Sequence, residues 1–170
     1  MGRASGVLMA VSSLPNSYGI GTFGKEAYDF IDFLVRTKQR YWQVLPLTTT
    51  SYGDSPYQSF SAAAGSPYYI DLKDLEKLGY LKSDDFEDIS FGTSKTCIDY
   101  GALFVNHRRL LNRAFDRFVQ DVPADFEKFC HDQAEWLDPY AEFMSLKEEF
   151  GHKAYWEWPK QYQQRNETTA

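Results

Sequence analysis

The start of the chain carries the pattern that most restricts its fold: two apolar runs with an amphipathic stretch between them. Residues 6–11 form a continuous apolar run, which is typical of a strand buried on both faces. Between residues 25 and 38, apolar side chains recur at helical spacing, at Ala27, Phe30, Ile31, Leu34 and Val35. Residues 41–45 predict a second buried strand, which Pro46 ends. Strand, helix and strand in about 40 residues predict a βαβ unit with parallel strands and a right-handed connection.

The pattern changes after this unit. Residues 68–72 predict a short strand and residues 72–78 a short helix that ends near Gly79. The acidic run 84–88 predicts a solvated turn. No further strand of the βαβ kind is predicted after Leu72.

The second half of the chain predicts helices. Apolar side chains recur at helical spacing over residues 103–119 and 124–133. Asp138 and Pro139 then predict the N-cap and first residue of another helix. The fold class is therefore α/β at the start, followed by a mainly helical segment and a polar tail over residues 161–170.

Charge and cysteine content exclude several classes of protein. The 170 residues hold 18 Lys and Arg against 24 Asp and Glu, a net charge of −6, so neither nucleic acid nor a membrane is an expected partner. The apolar run 7–11 is too short for a signal peptide or a membrane span. Cys97 and Cys130 cannot form a disulfide framework. These features predict a soluble cytoplasmic protein.

Aromatic residues make up 17% of the chain, and they suit either a packed core or the stacking of sugar rings. Trp156 and Trp158, in the run WEWP, are interpreted as anchors of the last helix rather than as a ligand platform. Cys130 is expected in the core. His107, His131 and His152 lie mostly in predicted helices, have no metal-ligand spacing, and are expected to face solvent or to cap helices.

Residues 19–24, GIGTFG, match the G-x-G-x-x-G pattern of dinucleotide-binding folds. In that fold the first glycine lies at the end of the strand, whereas here an interval containing Pro15 separates it from the predicted strand. No carboxylate follows at about 20 residues, where the ribose hydroxyls would require one. The glycines are therefore interpreted as shaping a turn, and a dinucleotide-binding domain stays a weaker alternative.

The most suggestive segment for function is YGDSPYQ, residues 52–58, inside a long polar loop that follows the second strand. Ligands bind at the carboxyl ends of parallel strands, and this segment offers groups that suit sugar hydroxyls and ring faces. Those residues are Tyr52, Asp54, Ser55, Tyr57 and Gln58. The alternative is a surface turn formed around Asp54, Ser55 and Pro56.

No catalytic constellation or metal site is recognisable in the sequence, and no cofactor is expected. Glycoside chemistry needs two carboxylates that face each other across a cleft. Asp54 alone lies in a suitable segment, and no second carboxylate in the α/β part pairs with it.

Several segments taken together resemble the N-terminal part of the 4-α-glucanotransferases (amylomaltase or disproportionating enzyme, glycoside hydrolase family 77). The most specific are YWQVLPL, residues 41–47, and SYGDSPYQSF, residues 51–60. The others are residues 5–9, 13–15, 18–21, 98–101, 136–137, 143–148 and 156–159. The resemblance extends from about residue 5 to residue 159.

The resemblance implies the start of a (β/α)8 TIM barrel with an inserted helical subdomain. It also implies transfer of α-1,4-glucan segments to glucose or a maltooligosaccharide by a retaining double displacement. The family's catalytic carboxylates lie on later barrel strands, so no catalytic residue is assigned here. Tyr52, Asp54, Ser55, Tyr57 and Gln58 are carried over as substrate-binding residues of the cleft.

Two positions depart from the family pattern. Ala10 stands where members often carry His, and Ala63 stands where Phe is usual, and each leaves less surface for a glucan. The expected organisation is a cleft-forming segment over residues 1–72, a helical subdomain over 73–160 and a tail over 161–170.

A closed barrel needs about 250 residues, so the barrel is expected to be incomplete in this chain. The expected partners are α-1,4-glucans, maltooligosaccharides and the missing C-terminal part of the barrel. The isolated chain is expected to be inactive, and the alternative is a noncatalytic α-glucan-binding module.

Overall fold

The computed structural model describes residues 2–94 and 96–163. Strands and α-helices occur in the order β1 (Gly6–Leu8), α1 (Lys25–Arg36), β2 (Tyr41–Gln43), α2 (Leu72–Lys77), α3 (Tyr100–Phe118) and α4 (Ala124–Glu149). Short 3-10 helices cover Val11–Ser13, Pro67–Tyr69, Ser83–Phe86, Tyr155–Glu157 and Lys160–Tyr162. The chain forms two compact units, which meet in sequence between Val122 and Pro123.

The predicted βαβ unit is confirmed. Strands β1 and β2 pair in parallel, with Gly6 opposite Tyr41 and Leu8 opposite Gln43. Both strands are shorter than predicted, although the Met9 amide still donates to the Gln43 carbonyl at 2.9 Å. The indole of Trp42, in the middle of β2, donates to the carbonyl of Met9, the residue after β1, at 2.8 Å.

The prediction that both strands are buried on two faces is wrong for this part of the chain. Leu8 is 60% exposed and Tyr41 is 66% exposed. One side of the sheet packs through Trp42, whose ring meets Phe30 of α1 edge-on at 4.9 Å. The described residues place no second layer over Leu8 and Tyr41, which explains their exposure.

A second apolar cluster joins α2 to α3. Leu72, Leu81, Leu110 and Ala114 form its buried centre. The two helices match the predictions for residues 72–78 and 103–119 to within a few residues. The Asp71 carboxylate accepts hydrogen bonds from the Lys73 and Asp74 amides and so caps α2 at its N-terminus.

The predicted strand over residues 68–72 is wrong. Pro67–Tyr69 is a 3-10 helix, and Asp71 is then the N-cap of α2. Pro67 has no amide to donate to a neighbouring strand, and its fixed φ suits the first residue of a helical turn. These two helix-start signals prevail over the β propensity of the intervening tyrosines.

The acidic run 84–88 is only partly solvated. It overlaps the 3-10 helix Ser83–Phe86, in which the Asp85 side chain is 12% exposed. Arg117 donates to the two Asp85 carboxylate oxygens at 2.5 and 3.0 Å. This hydrogen bonding, together with the positive charges of Arg117 and Arg113, lowers the pKa of Asp85 to about 2. An ion pair therefore fixes the turn against α3.

The second unit consists of the continuous helix α4 and the turns that follow it. The predicted start of a new helix at Asp138 is wrong, because α4 passes through Pro139 without ending. Trp136 and Tyr140 flank the proline, with ring centroids 6.4 Å apart. Cys130 is half-buried, not in the core as expected.

The predicted division into residues 1–72, 73–160 and 161–170 stays a prediction. The two compact units describe how the chain packs, and they do not test which segments form the cleft and which form a subdomain. Residues 164–170 of the polar tail lie outside the described residues. In the described part of the chain, every helix is too short or too polar to cross a membrane.

Candidate substrate-binding site

The segment that follows β2 forms a loop whose ends are tied together. We call residues 48–65 the cleft loop. Thr48 and Gly65 form an antiparallel bridge, and the Thr49 amide donates to the Ala64 carbonyl at 3.3 Å. Just outside this bridge, the Ser66 amide donates to the Leu47 carbonyl at 2.9 Å. The loop therefore has a fixed base.

The tip of the cleft loop is closed by its own backbone hydrogen bonds. The Ser51 amide donates to the Gln58 carbonyl at 2.8 Å, and the Gln58 amide donates to the Ser55 carbonyl at 3.0 Å. Gly53 and Asp54 adopt left-handed conformations, with φ of 96° and 56°. Glycine adopts this conformation without strain and aspartate tolerates it better than most residues, which explains why YGD suits the turn.

An open cavity of about 340 Å³ lies between Pro46, which follows β2, and the cleft loop. It is lined by Pro46, Thr48, Pro56, Tyr57, Ser59, Phe60, Ser61 and Ala62. The volume lies at the lower end of the range for small-molecule sites, which are about 300–1,000 Å³. Aromatic faces beside hydroxyl groups are the combination that a sugar ring requires.

Serine side chains hold the wall of this cavity. The Ser59 hydroxyl donates to the Ser61 carbonyl at 2.6 Å. The Ser61 hydroxyl accepts from the Ala63 amide at 3.1 Å and from the Ala64 amide at 3.0 Å. The wall is thus fixed in the absence of a ligand, which lowers the entropy cost of binding.

The structure brings only one of the five predicted side chains into the cavity lining. Tyr57 lines it and is 73% exposed. Tyr52 is fully exposed and lies outside the lining. The Ser55 hydroxyl accepts from the Tyr57 amide at 3.4 Å, and Gln58 contributes backbone hydrogen bonds to the tip.

Asp54 faces a different group of side chains. Burial raises the pKa of its carboxyl group. Burial also raises the pKa values of Tyr68 and Tyr100, and the negative charge of Asp54 raises both further. The Tyr68 and Tyr100 rings lie 6.3 Å apart. Together, these three side chains offer a carboxylate and two phenols beside the tip of the cleft loop.

His107 supports this group from below and does not face solvent, so the prediction for this histidine is wrong. It is 1% exposed, and its ring meets Tyr68 edge-on at 5.6 Å. Burial lowers its pKa to about 4, although a hydrogen bond to the Ile70 backbone opposes the shift. Its Nε2 atom has no hydrogen-bond partner among the described residues.

The glycine motif shapes a turn against the start of α2, in agreement with the sequence interpretation. Gly19 has a φ of 81°. A Cβ atom at Gly24 would collide with the Asp71 carboxylate. The Thr22 hydroxyl donates to the same carboxylate at 2.5 Å, so the motif is fitted to a protein side chain.

Sequence reasoning missed several of the residues that line the cavity: Thr48, Ser59, Phe60 and Ser61. The available signal was the alternation of hydroxyl and aromatic residues after YGDSPYQ. Ala63, one of the two departures from the family pattern, is exposed and lies outside the lining. Residues 2–94 and 96–163 contain no group of three metal-ligating side chains.

Comparisons with known proteins give a consistent result. The sequence profile of the 4-alpha-glucanotransferase family matches residues 9–170. The chain is 56% identical to a 4-alpha-glucanotransferase of Streptococcus pneumoniae, over 92% of this chain and 31% of that protein. It is 49% identical to the enzyme of the same name from Clostridium butyricum, over 89% and 31%.

A solved structure is similar as well. The amylomaltase from Streptococcus agalactiae in complex with acarbose matches with a TM-score of 0.88 and 50% identity, over 94% of this chain and 32% of that one. The chain therefore spans about a third of the length of the relatives that it matches.

Proposed function

The chain belongs to the 4-α-glucanotransferase family, and we propose that it supplies the N-terminal part of the glucan cleft in such an enzyme. The complete enzyme transfers segments of α-1,4-glucan to glucose or to a maltooligosaccharide acceptor. β1, α1 and β2 are the first elements of its (β/α)8 barrel, and the parallel pairing of the two strands supports this assignment. The helices after α2 form an insertion in that barrel.

The cavity beside the cleft loop is the observation that carries the proposal. It joins the faces of Tyr57 and Phe60 to the hydroxyls of Thr48, Ser59 and Ser61. It also follows a parallel strand at its carboxyl end, where barrel enzymes bind their substrates. Tyr57 stacks on a glucose ring, and the neighbouring residues Tyr52, Asp54, Ser55 and Gln58 contact the glucan at the rim.

The chemistry of the complete enzyme needs groups beyond those of this chain. In a retaining double displacement, one carboxylate attacks the anomeric carbon and an acid protonates the leaving oxygen. The same acid then removes a proton from the acceptor hydroxyl that takes the place of water. Asp54 lies outside the cavity lining, and among the described residues no carboxylate lines the cavity. The part proposed for this chain is therefore to bind and orient glucan, not to supply the catalytic carboxylates.

The experiment compares the chain alone with the chain joined to the part of the Streptococcus pneumoniae relative that follows the matched region. With maltotriose, the isolated chain is expected to produce neither glucose nor longer maltooligosaccharides. The joined protein is expected to produce both. Turnover by the isolated chain, or no turnover by a folded joined protein, contradicts the proposal.

The loop assignment has its own test. Tyr57→Ala is expected to weaken maltoheptaose binding about tenfold, because it removes one of the two aromatic faces of the cavity. Tyr28→Ala is the matched control, since Tyr28 is 67% exposed on α1, which is outside the cleft loop. Equal affinity of the Tyr57 variant and the unchanged chain contradicts the assignment.

A noncatalytic α-glucan-binding module is the second candidate, and the position of the cavity favours it. All the lining residues lie between Pro46 and Ala62, within a single segment. A joined protein that binds maltoheptaose without turnover supports this second candidate. We rank a dinucleotide-binding domain below both, because the Asp71 carboxylate lies against Gly24, where a pyrophosphate would have to approach.

A further inference from the structure

The two tryptophans of WEWP, which the sequence analysis treated alike, have different environments in the second unit. Trp158 is 5% exposed and packs on Phe143 and Phe150 of the α4 segment, with centroids 5.5 and 5.6 Å away. Trp156 is 68% exposed. Trp158 thus has the anchoring role that was predicted for both, whereas the exposed Trp156 does not.

The indole N–H groups differ in the same way. Those of Trp42, Trp136 and Trp158 donate to Met9, Gln133 and Lys153, at 2.8, 2.7 and 3.2 Å. Within residues 2–94 and 96–163, the indole N–H of Trp156 has no hydrogen-bond acceptor. Trp156 therefore offers both a ring face and a hydrogen-bond donor to a ligand.

Tyr155 extends this surface. It is 52% exposed, and its ring stands nearly perpendicular to that of Trp156, with centroids 5.4 Å apart and an interplanar angle of 77°. The two rings form a corner, so that a ligand stacked on one ring face can contact the other ring. We call Tyr155 and Trp156 the aromatic corner.

The backbone below the aromatic corner is held on both sides. The Gln163 side-chain amide donates to the carbonyls of Trp156 and Trp158, at 3.0 and 2.8 Å. The Glu157 carboxylate accepts from the Ala154 amide at 3.1 Å. With the buried Trp158 ring as an anchor, these bonds fix the corner before a ligand arrives, which lowers the ordering cost of binding.

The surroundings of the corner favour a sugar over a protein as its occupant. A stable protein interface needs roughly 800 Å² from each partner, with an apolar centre. Apart from Pro159, the exposed residues that flank the corner in sequence over 153–161 are charged or polar: Lys153, Glu157, Lys160 and Gln161. The area offered by two rings and one N–H donor is too small for a stable protein interface, but it is sufficient to contact one or two sugar units.

We propose that Tyr155 and Trp156 form a second α-glucan contact, which is separate from the cavity beside the cleft loop. A glucose unit stacks on Trp156 with its edge against Tyr155, and the indole N–H donates to a sugar hydroxyl. The choice of glucan as the ligand rests on the proposed function, whereas the site itself rests on the geometry of the second unit.

The test is a maltoheptaose titration of the 170-residue chain followed through the NMR signals of the indole N–H groups. The signal of Trp156 is identified by its loss in Trp156→Phe and is expected to shift progressively with maltoheptaose. Tyr155→Ala, which keeps the Trp156 signal, is expected to weaken binding at this contact roughly fivefold to tenfold, through loss of the adjoining ring. Trp136→Phe, in the same unit, is the control and should leave the titration unchanged.

A second variant separates this proposal from the cleft loop. In Tyr57→Ala, the shift of the Trp156 signal is expected to persist, which supports an independent contact even if the loop assignment fails. A Trp156 signal that does not move with maltoheptaose overturns the proposal. So does a signal that moves only with protein concentration, because the corner would then bind protein.

Discussion

His107 is the residue whose environment differs most from its sequence expectation. A lone histidine in a polar-looking helix is usually solvated, and the sequence around it, VNHRR, contains two arginines. The helix buries His107 because Leu103, His107, Leu110 and Ala114 lie on one face, and a histidine was not counted as part of the apolar stripe. Residue type misled the prediction, whereas spacing contained the signal.

Burial of a neutral His107 makes stability depend on pH. The pKa of His107 is about 4 in the folded chain, against an ordinary value of 6.5 for a solvated histidine. Below pH 6.5 the unfolded chain therefore binds a proton that the folded chain does not. Stability is then full above pH 6.5 and falls until about pH 4. Between about pH 7 and about pH 5 the expected loss in the free energy of unfolding is about 2 kcal/mol.

Urea titrations at both pH values measure this loss. His107→Phe keeps a ring in the core and should remove most of the difference between the two pH values. His131→Gln is the control, because that side chain is 90% exposed and meets water in both states. An unchanged difference in His107→Phe would refute the assignment.

Among the elements, α1, β2, α2 and α3 were predictable because their signals are local: periodicity, caps and Pro46. The prediction of a strand over residues 68–72 was wrong. A strand forms only where a neighbouring strand can pair with it, and a short stretch of sequence does not show whether such a neighbour exists. The predicted helix start at Asp138 was wrong for a related reason. Asp–Pro fits a helix start locally, but the apolar side chains on both sides continue one helix.

Pro139 inside α4 leads to a prediction about stability. It removes one helical hydrogen bond and crowds the preceding turn. Pro139→Ala is expected to raise the free energy of unfolding of the second unit by roughly 1–2 kcal/mol, as measured by thermal unfolding followed through circular dichroism. Ala141→Gly, at an exposed site of the same helix, should lower it by about 1 kcal/mol. A destabilised Pro139→Ala would mean that the proline ring packs in a required position.

At the scale of the whole molecule, the exposed apolar side chains of the βαβ unit form the main departure from expectation. Ile31 and Val35 belong to the predicted buried stripe of α1, yet they are 44% and 68% exposed, and Leu8 of β1 is 60% exposed. Their apolar character is what a larger fold would need to bury them, so their exposure agrees with a chain that spans about a third of the length of its relatives. Within residues 2–94 and 96–163, no segment covers these side chains.

This exposure predicts self-association of the isolated chain as its concentration rises, because two strand edges and an apolar face are open to a second copy. Sedimentation velocity over a concentration series measures it. Leu8→Lys, which places a charge on β1, is expected to weaken the association. Leu78→Lys is the control, at a side chain 67% exposed beyond the end of α2. A chain that stays monomeric throughout contradicts the prediction.

The bridge between Thr48 and Gly65 has a consequence for evolution. Because this bridge closes the base of the cleft loop and the loop's own serines hold the cavity wall, these bonds all lie within one segment of the chain. Substitutions in the later helices are therefore expected to leave these bonds in place, whereas Tyr100 of α3, which lies near Asp54, is expected to vary less between lineages.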